Sequence, residues 1–167
     1  MEEGVKCVLK SLKIGDVMVK NVITIEADYT IKHAARIMSR FGIGCLVVIE
    51  NEKVVGMITE RDILKKIVAV ARDPEKTFVR DVASKPVIVV GTDVVLDDAI
   101  RLMFKHEIKK LPVVERYRGE ERLAGLVTLT DIARLQPELI EMLKKHFEEA
   151  GKSPPRGMEK VMHYYIV

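Results

Sequence analysis

Apolar positions along the chain alternate between two kinds of pattern. Short runs rich in β-branched residues lie at 22–25, 46–49, 54–58, 87–90, 111–114 and 123–127, and they predict buried strands. Between them lie segments with helical spacing. Ile31, Ala34, Ala35 and Met38 fall at i, i+3, i+4 and i+7, and so do Leu96, Ala99, Ile100 and Met103. Each set forms one stripe of an amphipathic helix. Asp28 or Thr30, and Asp93, are the candidate caps. The polar stretches 50–53 and 115–122 read as hairpin loops. A closing helix starts near Thr59 and again near Thr128; the first carries Ile63, Leu64, Ile67 and Val68 on its apolar face. The order is β-α-β-β-α, twice.

The two halves repeat in detail. Asp16-Val17, Val22-Ile23, Asp28, Ala34, Arg36 and Met38 meet Asp81-Val82, Val87-Ile88, Asp93, Ala99, Arg101 and Met103 at a spacing of 65. Ile43, Leu46, Val48 and Glu50 meet Ile108, Leu111, Val113 and Glu115. A four-residue insertion within 116–122 then moves the spacing to 69, where Gly56, Thr59, Asp62 and Ile63 meet Gly125, Thr128, Asp131 and Ile132. Such an insertion fits a surface loop. The chain therefore divides into an N-terminal extension (1–13), a first repeat (14–72), a second repeat (73–135, its close match beginning near 79) and a C-terminal segment (136–167). One repeat has too small a core to stand alone. An α/β (α+β) pair packed through its sheets about a pseudo-twofold axis resolves that, and it creates a cleft faced by equivalent groups. In the extensions, Val5, Val8, Leu9 and Leu12 form a short apolar face. Leu139, Ile140, Leu143 and Phe147 line a helix over 138–149, and the apolar tail 158–167 is expected to dock.

Composition narrows the function classes. With 48% hydrophobic and 32% charged residues the chain is not disordered. Its net charge of +3 is spread along the sequence, without the basic patch of a nucleic-acid binder. Only Cys7 and Cys45 are present, so no disulfide framework exists and a reducing compartment is expected. The acidic start has no apolar signal core, and no apolar run approaches the roughly 18 residues of a membrane span, so a soluble cytoplasmic protein is expected. Scarce amides (Gln136, Asn21 and Asn51 are the only ones) suggest a thermophile. Cys7, Cys45, His33, His106, His146 and His163 have no zinc-site spacing, and the two helix histidines, His33 and His106, read as surface residues. Neither a phosphate loop nor a nucleophile elbow occurs, and no nucleophile has a base partner, so no catalytic residue is assigned.

The repeated residues resemble the CBS domain, and the tandem resembles a CBS pair (Bateman module). The resemblance spans about residues 14–135. It rests on Asp16-Val17-Met18, echoed as Asp81-Val82-Ala83, and on the segment Gly42-Ile-Gly-Cys-Leu-Val47, echoed at 107–112. It rests above all on the ending Gly-φ-φ-Thr-x-x-Asp (φ apolar), present as Gly56…Thr59…Asp62 and Gly125…Thr128…Asp131. The resemblance implies a non-catalytic regulatory module that binds AMP, ADP, ATP or S-adenosylmethionine in the cleft between repeats. It also implies a homodimer and control of a separate, unidentified partner chain. No catalytic cofactor, metal or membrane is implied.

The candidate site follows from these residues. A carboxylate such as Asp62 or Asp131 can accept from both ribose hydroxyls, each charge-assisted bond contributing about 1.5–3 kcal/mol. Thr59 and Thr128 would place a hydroxyl and a helix start beside sugar and phosphate. The glycine before each apolar pair would let the backbone bend. Arg61, Lys109 and Lys110 are candidate phosphate cations. Gly44 and Cys45, at the register of the two lysines, offer an uncharged surface to a purine instead. Val22, Ile23 and Thr24, with Ile88, Val89 and Pro112, are the candidate purine-facing residues. Thr-x-x-Asp before an apolar helix is also an ordinary capping arrangement. Two other readings remain: a CBS-fold scaffold that serves only dimerisation, and a nucleic-acid-binding CBS protein, against which the lack of a basic helix or aromatic platform argues.

Overall fold

The computed structural model describes residues 12–135. The expected N-terminal apolar face and the C-terminal helix and tail therefore lie outside the described residues, apart from Leu12. After a single helical turn, α1 (Ile14–Val17), the chain runs β1 (Thr24–Glu26), α2 (Ile31–Phe41), β2 (Cys45–Glu50), β3 (Lys53–Thr59) and α3 (Glu60–Lys66). It repeats as β4 (Val90–Gly91), α4 (Leu96–Lys105), β5 (Lys110–Tyr117), β6 (Glu120–Thr128) and α5 (Leu129–Leu135). Two three-stranded sheets result, β1-β2-β3 and β4-β5-β6. In the first, β1 is parallel to β2 with Thr24 opposite Val47, and β2 is antiparallel to β3 with Cys45 opposite Thr59. The α/β class and the duplicated order are as the pattern predicts.

The compact units are not the sequence repeats. One gathers residues 20–89 and 114–124; the other gathers the described parts of the chain at 12–19, 90–113 and 125–135. The segment that opens each repeat is what changes place. Ile14 and Gly15 donate to the carbonyls of Val94 and Thr92 (2.9 Å each), and Val19 and Leu126 exchange two bonds of 2.9 Å. In the other unit Val79 and Arg80 donate to Tyr29 and Ala27 (2.8 and 2.9 Å), and Ser84 exchanges bonds with Met57. At the spacings of 65 and 69 these are the same bonds. The core of the unit built on β1–β3 accordingly includes Val79 and Val82 with Ile25, Ile31, Met38, Leu46 and Ile58. In the other unit Ile14 is fully buried, as are Leu96, Ile100, Met103, Leu111 and Ile132.

Several local expectations are corrected. The strand expected at 87–90 shrinks to Val90–Gly91, and that at 22–25 moves to Thr24–Glu26. β-branched residues favour extended backbone, but here only the last positions of each run find a ladder partner. The expected loop at 115–122 is mostly strand. Its turn is Arg118-Gly119, both at positive φ, and the insertion lengthens β5 and β6 to eight and nine residues against six and seven in β2 and β3. Thr30, not Asp28, caps α2, its hydroxyl accepting from the His33 amide at 3.3 Å. Helix α4 starts after Val95 with no side-chain cap, because Asp93 lies over Gly91 instead. Of the apolar face expected for α3, Leu64 is exposed; just beyond the helix, Ile67 is buried and Val68 exposed.

Candidate functional site

Each Thr-x-x-Asp segment sits where the last strand of its sheet passes into a short helix. Thr59 is the N-cap of α3 in extended conformation. Its hydroxyl donates to Asp62 Oδ2 at 2.6 Å and accepts from the Asp62 amide at 3.2 Å, while the Thr59 amide donates to the same Oδ2 at 3.0 Å. The second repeat has two of these three bonds: the Thr128 hydroxyl donates to Asp131 Oδ2 at 2.6 Å and accepts from the Asp131 amide at 3.1 Å. The sequence thus places both carboxylates at fixed positions, as a capping box does.

The helix starts themselves offer less than expected. The Glu60 amide donates to the Gly44 carbonyl (3.2 Å), and the Leu129 amide to the Lys109 carbonyl (3.0 Å). The third amide of each helix goes to its threonine. These bonds bring Gly44 beside α3 and Lys109 beside α5, so each clamp adjoins the residue pair that differs most between the repeats: Gly44-Cys45 against Lys109-Lys110. Of these, Lys109 is exposed, Lys110 half-buried and Cys45 buried. Pro112 is buried within β5, and Arg61 is exposed on α3. Thr24 joins β1, whereas Val22, Ile23, Ile88 and Val89 are half-buried and lie outside the ladders.

The two glycines make room for a second backbone. Gly56 lies within β3 and Gly125 within β6, each under an opening segment. A Cβ on Gly56 would lie 3.2 Å from the Ser84 carbonyl oxygen, and one on Gly125 would lie 2.9 Å from that of Val19. Close approach of a second backbone is what the position requires.

Two polar neighbours of Asp62 escaped the sequence reading. Lys66 pairs with Asp62 Oδ1 at 2.9 Å and also donates to the Val82 carbonyl at 2.7 Å. The Ser84 hydroxyl approaches the same Oδ1 at 3.4 Å. The i,i+4 spacing of Asp62 and Lys66 was the available signal for the first; nothing local pointed to the second. Burial alone would raise the Asp62 pKa, but the Thr59 hydroxyl and amide bonds and the Lys66 ammonium outweigh it and hold the carboxyl below its ordinary value. Arg61, the candidate phosphate cation of this repeat, is exposed on α3, and the cation that pairs with Asp62 itself is Lys66.

A duplicated β-α-β-β-α unit, each copy ending in a Thr–Asp clamp, defines a tandem α/β repeat module. Comparison with known proteins makes the family explicit. The CBS-domain profile matches residues 14–69 and 79–138, and the chain belongs to the CBS-domain family as a CBS pair, a regulatory module. It is 35% identical over 146 residues to an uncharacterised protein of Methanopyrus kandleri, covering 84% of this chain and 73% of that one. It is 37% identical over 163 residues to an inosine-5′-monophosphate dehydrogenase of Methanocaldococcus jannaschii, covering 96% of this chain but only 31% of that enzyme. In fold it is similar to the CBS domain pair of protein MJ0100, solved in complex with 5′-methylthioadenosine and S-adenosyl-L-methionine. That match has a TM-score of 0.65 and 32% identity, over 77% of this chain and 98% of the other. Among the described residues no helix is long and apolar enough to cross a membrane.

Proposed function

We propose that this CBS pair is a non-catalytic sensor of an adenosine-containing ligand, of the class AMP, ADP, ATP or S-adenosylmethionine. It reports occupancy to a separate protein chain. The observation that carries the reading is the duplicated Thr–Asp clamp. Each carboxylate is oriented through a 2.6 Å bond from its threonine, a geometry suited to accept from a vicinal diol. The ligands of the MJ0100 pair, both adenosine derivatives, support the class. Lys109 and Lys110 are the proposed anion contacts of the second repeat. Val22, Ile23 and Thr24, Gly44 and Cys45, and Ile88, Val89 and Pro112 are the proposed purine neighbours. A homodimer is the proposed assembly.

The test is calorimetric titration of nucleotide-stripped protein with AMP, ADP, ATP and S-adenosylmethionine. Micromolar binding of one of them, about −8 kcal/mol, with loss on replacing both Asp62 and Asp131 by Asn, is the expected result. Absence of heat from all four at high protein concentration refutes the sensor reading. The capping role of the Thr–Asp pairs would then be their whole function, and the module a scaffold.

A further inference from the structure

The two clamps share a backbone but not their surroundings. At the spacing of 69, Lys66 corresponds to Leu135; at the spacing of 65, Ser84 corresponds to Val19. The two groups that engage Asp62 Oδ1, an ammonium at 2.9 Å and a hydroxyl at 3.4 Å, thus have leucine and valine at the equivalent sequence positions of the second repeat. Among the described residues, Asp131 has no ion-pair partner, and only its Oδ2 is engaged, by Thr128. The Asp62 carboxylate has both oxygens occupied, Oδ2 by Thr59 and Oδ1 by Lys66.

From this difference we infer that Lys66 is an intramolecular gate on the first repeat's site, holding Asp62 away from ligand hydroxyls, and that the Asp131 site loads first. The inference rests on the diol-binding reading above. A ribose that uses Asp62 must take Oδ1 from Lys66. The lysine can yield, because its side chain is 43% exposed whereas that of Asp62 is 15% exposed. Its departure has a second consequence. Lys66 also holds the Val82 carbonyl at 2.7 Å, and Val82 belongs to the opening segment that runs on to Ser84. Loading the first site therefore loosens one tie between α3 and that segment, whereas among the described residues Asp131 has no such tie. The gate gives the module a graded response: one site fills at low ligand concentration, and the other fills only when ligand outcompetes an internal cation.

The experiment measures stoichiometry and affinity for AMP, ATP and S-adenosylmethionine on the full chain. In the wild type one site per chain is expected to bind at least tenfold more tightly than the other. Asp131→Asn removes the tight site, and Asp62→Asn leaves it. In the Asp131→Asn background, where only the first site remains, adding Lys66→Met is expected to raise affinity at least tenfold. Leu135→Lys, which gives the second repeat a lysine at the position equivalent to Lys66, is expected to weaken the tight site by a similar factor. It provides an independent arm if Lys66→Met compromises folding, which circular dichroism reports. Two equal sites in the wild type, loss of the tight site with Asp62→Asn, or unchanged first-site affinity with Lys66→Met overturns the gate while the adenosine reading stands. No binding of any probe by the wild type or any variant removes the adenosine reading, and the gate with it.

Discussion

Replacing Gly125 by Ala tests whether the opening segment at Met18-Val19 is a structural part of the second sheet. The new Cβ would lie 2.5 Å from Met18 Sδ, 2.8 Å from Met18 Cγ and 2.9 Å from the Val19 carbonyl oxygen. The thioether can swing aside, since methionine adapts its shape at small cost. The carbonyl cannot, because it is held in the reciprocal 2.9 Å pair with Leu126, the next residue along β6. Relief of the clash must lengthen those bonds. Overpacking of this kind costs about 1–3 kcal/mol, and one weakened backbone bond adds about 1 kcal/mol. Removing a glycine from a strand returns about 0.5–1 kcal/mol. The net expectation is a loss of about 2 kcal/mol, or a Tm lower by about 4–8 °C for a chain of this size. Gly56→Ala is the internal control. Its nearest contacts would be 3.2 Å to the Ser84 carbonyl oxygen and 3.4 Å to Ala83 Cβ, so relief needs only a few tenths of an ångström. Its net change should lie near zero. Urea titration followed by circular dichroism measures both, with the slopes compared to verify that the denatured states match. If Gly125→Ala is as stable as the wild type, or Gly56→Ala loses as much, the packing of these segments is not what fixes the two glycines.

Two further outcomes follow from single side chains. Because folding lowers the Asp62 pKa, the unfolded chain takes up this proton first as pH falls. The stabilisation is complete above the unfolded value of about 4 and drains away as pH drops through the lower folded value. Urea midpoints measured from about pH 6 to about pH 3 should therefore fall less steeply for Asp62→Asn than for the wild type, and parallel curves would show that the pair contributes nothing. Thr30→Ala removes the only side-chain cap seen on α2 and should cost about 1 kcal/mol, whereas Asp28→Ala should leave the midpoint unchanged, since Asp28 does not cap.

The helices were legible because burial repeats with a fixed period. Ile31, Ala34 and Met38, and Leu96, Ala99, Ile100 and Met103, are all buried as their spacing predicts. The hairpins were legible from their apolar runs, and the Thr–Asp clamps from a local motif whose partners lie three residues apart. What escaped shares one property. Periodicity reports which face is buried but not which segment covers it, so nothing in Asp16-Val17-Met18 or Asp81-Val82-Ala83 reveals that each joins the other repeat's elements. The same limit hid Ser84 from Asp62, 22 residues away. It also misassigned the glycines, whose need for close approach depends on a segment distant in sequence. The strand run at 87–90 failed for a related reason: propensity supplies a backbone shape, while a ladder requires a neighbour.

The exchange of opening segments bears on how duplicated sites diverge. Were each repeat self-contained, a change near one clamp would alter that clamp alone. Here the segment that opens the second repeat supplies Ser84 and the Val82 carbonyl beside Asp62, at the end of the first repeat's sheet, and the segment that opens the first supplies Met18 and Val19 over Gly125. Each clamp is thus framed by residues that belong, in sequence, to the other repeat. The framing segments have drifted apart, serine against valine, while the threonine, the aspartate and the glycine recur in both copies. The shared residues build the geometry; the unshared ones, with Lys66 against Leu135, set the charge around it. On the proposed function, two clamps with one backbone and different neighbours would let a repeated fold respond to the same ligand over two concentration ranges.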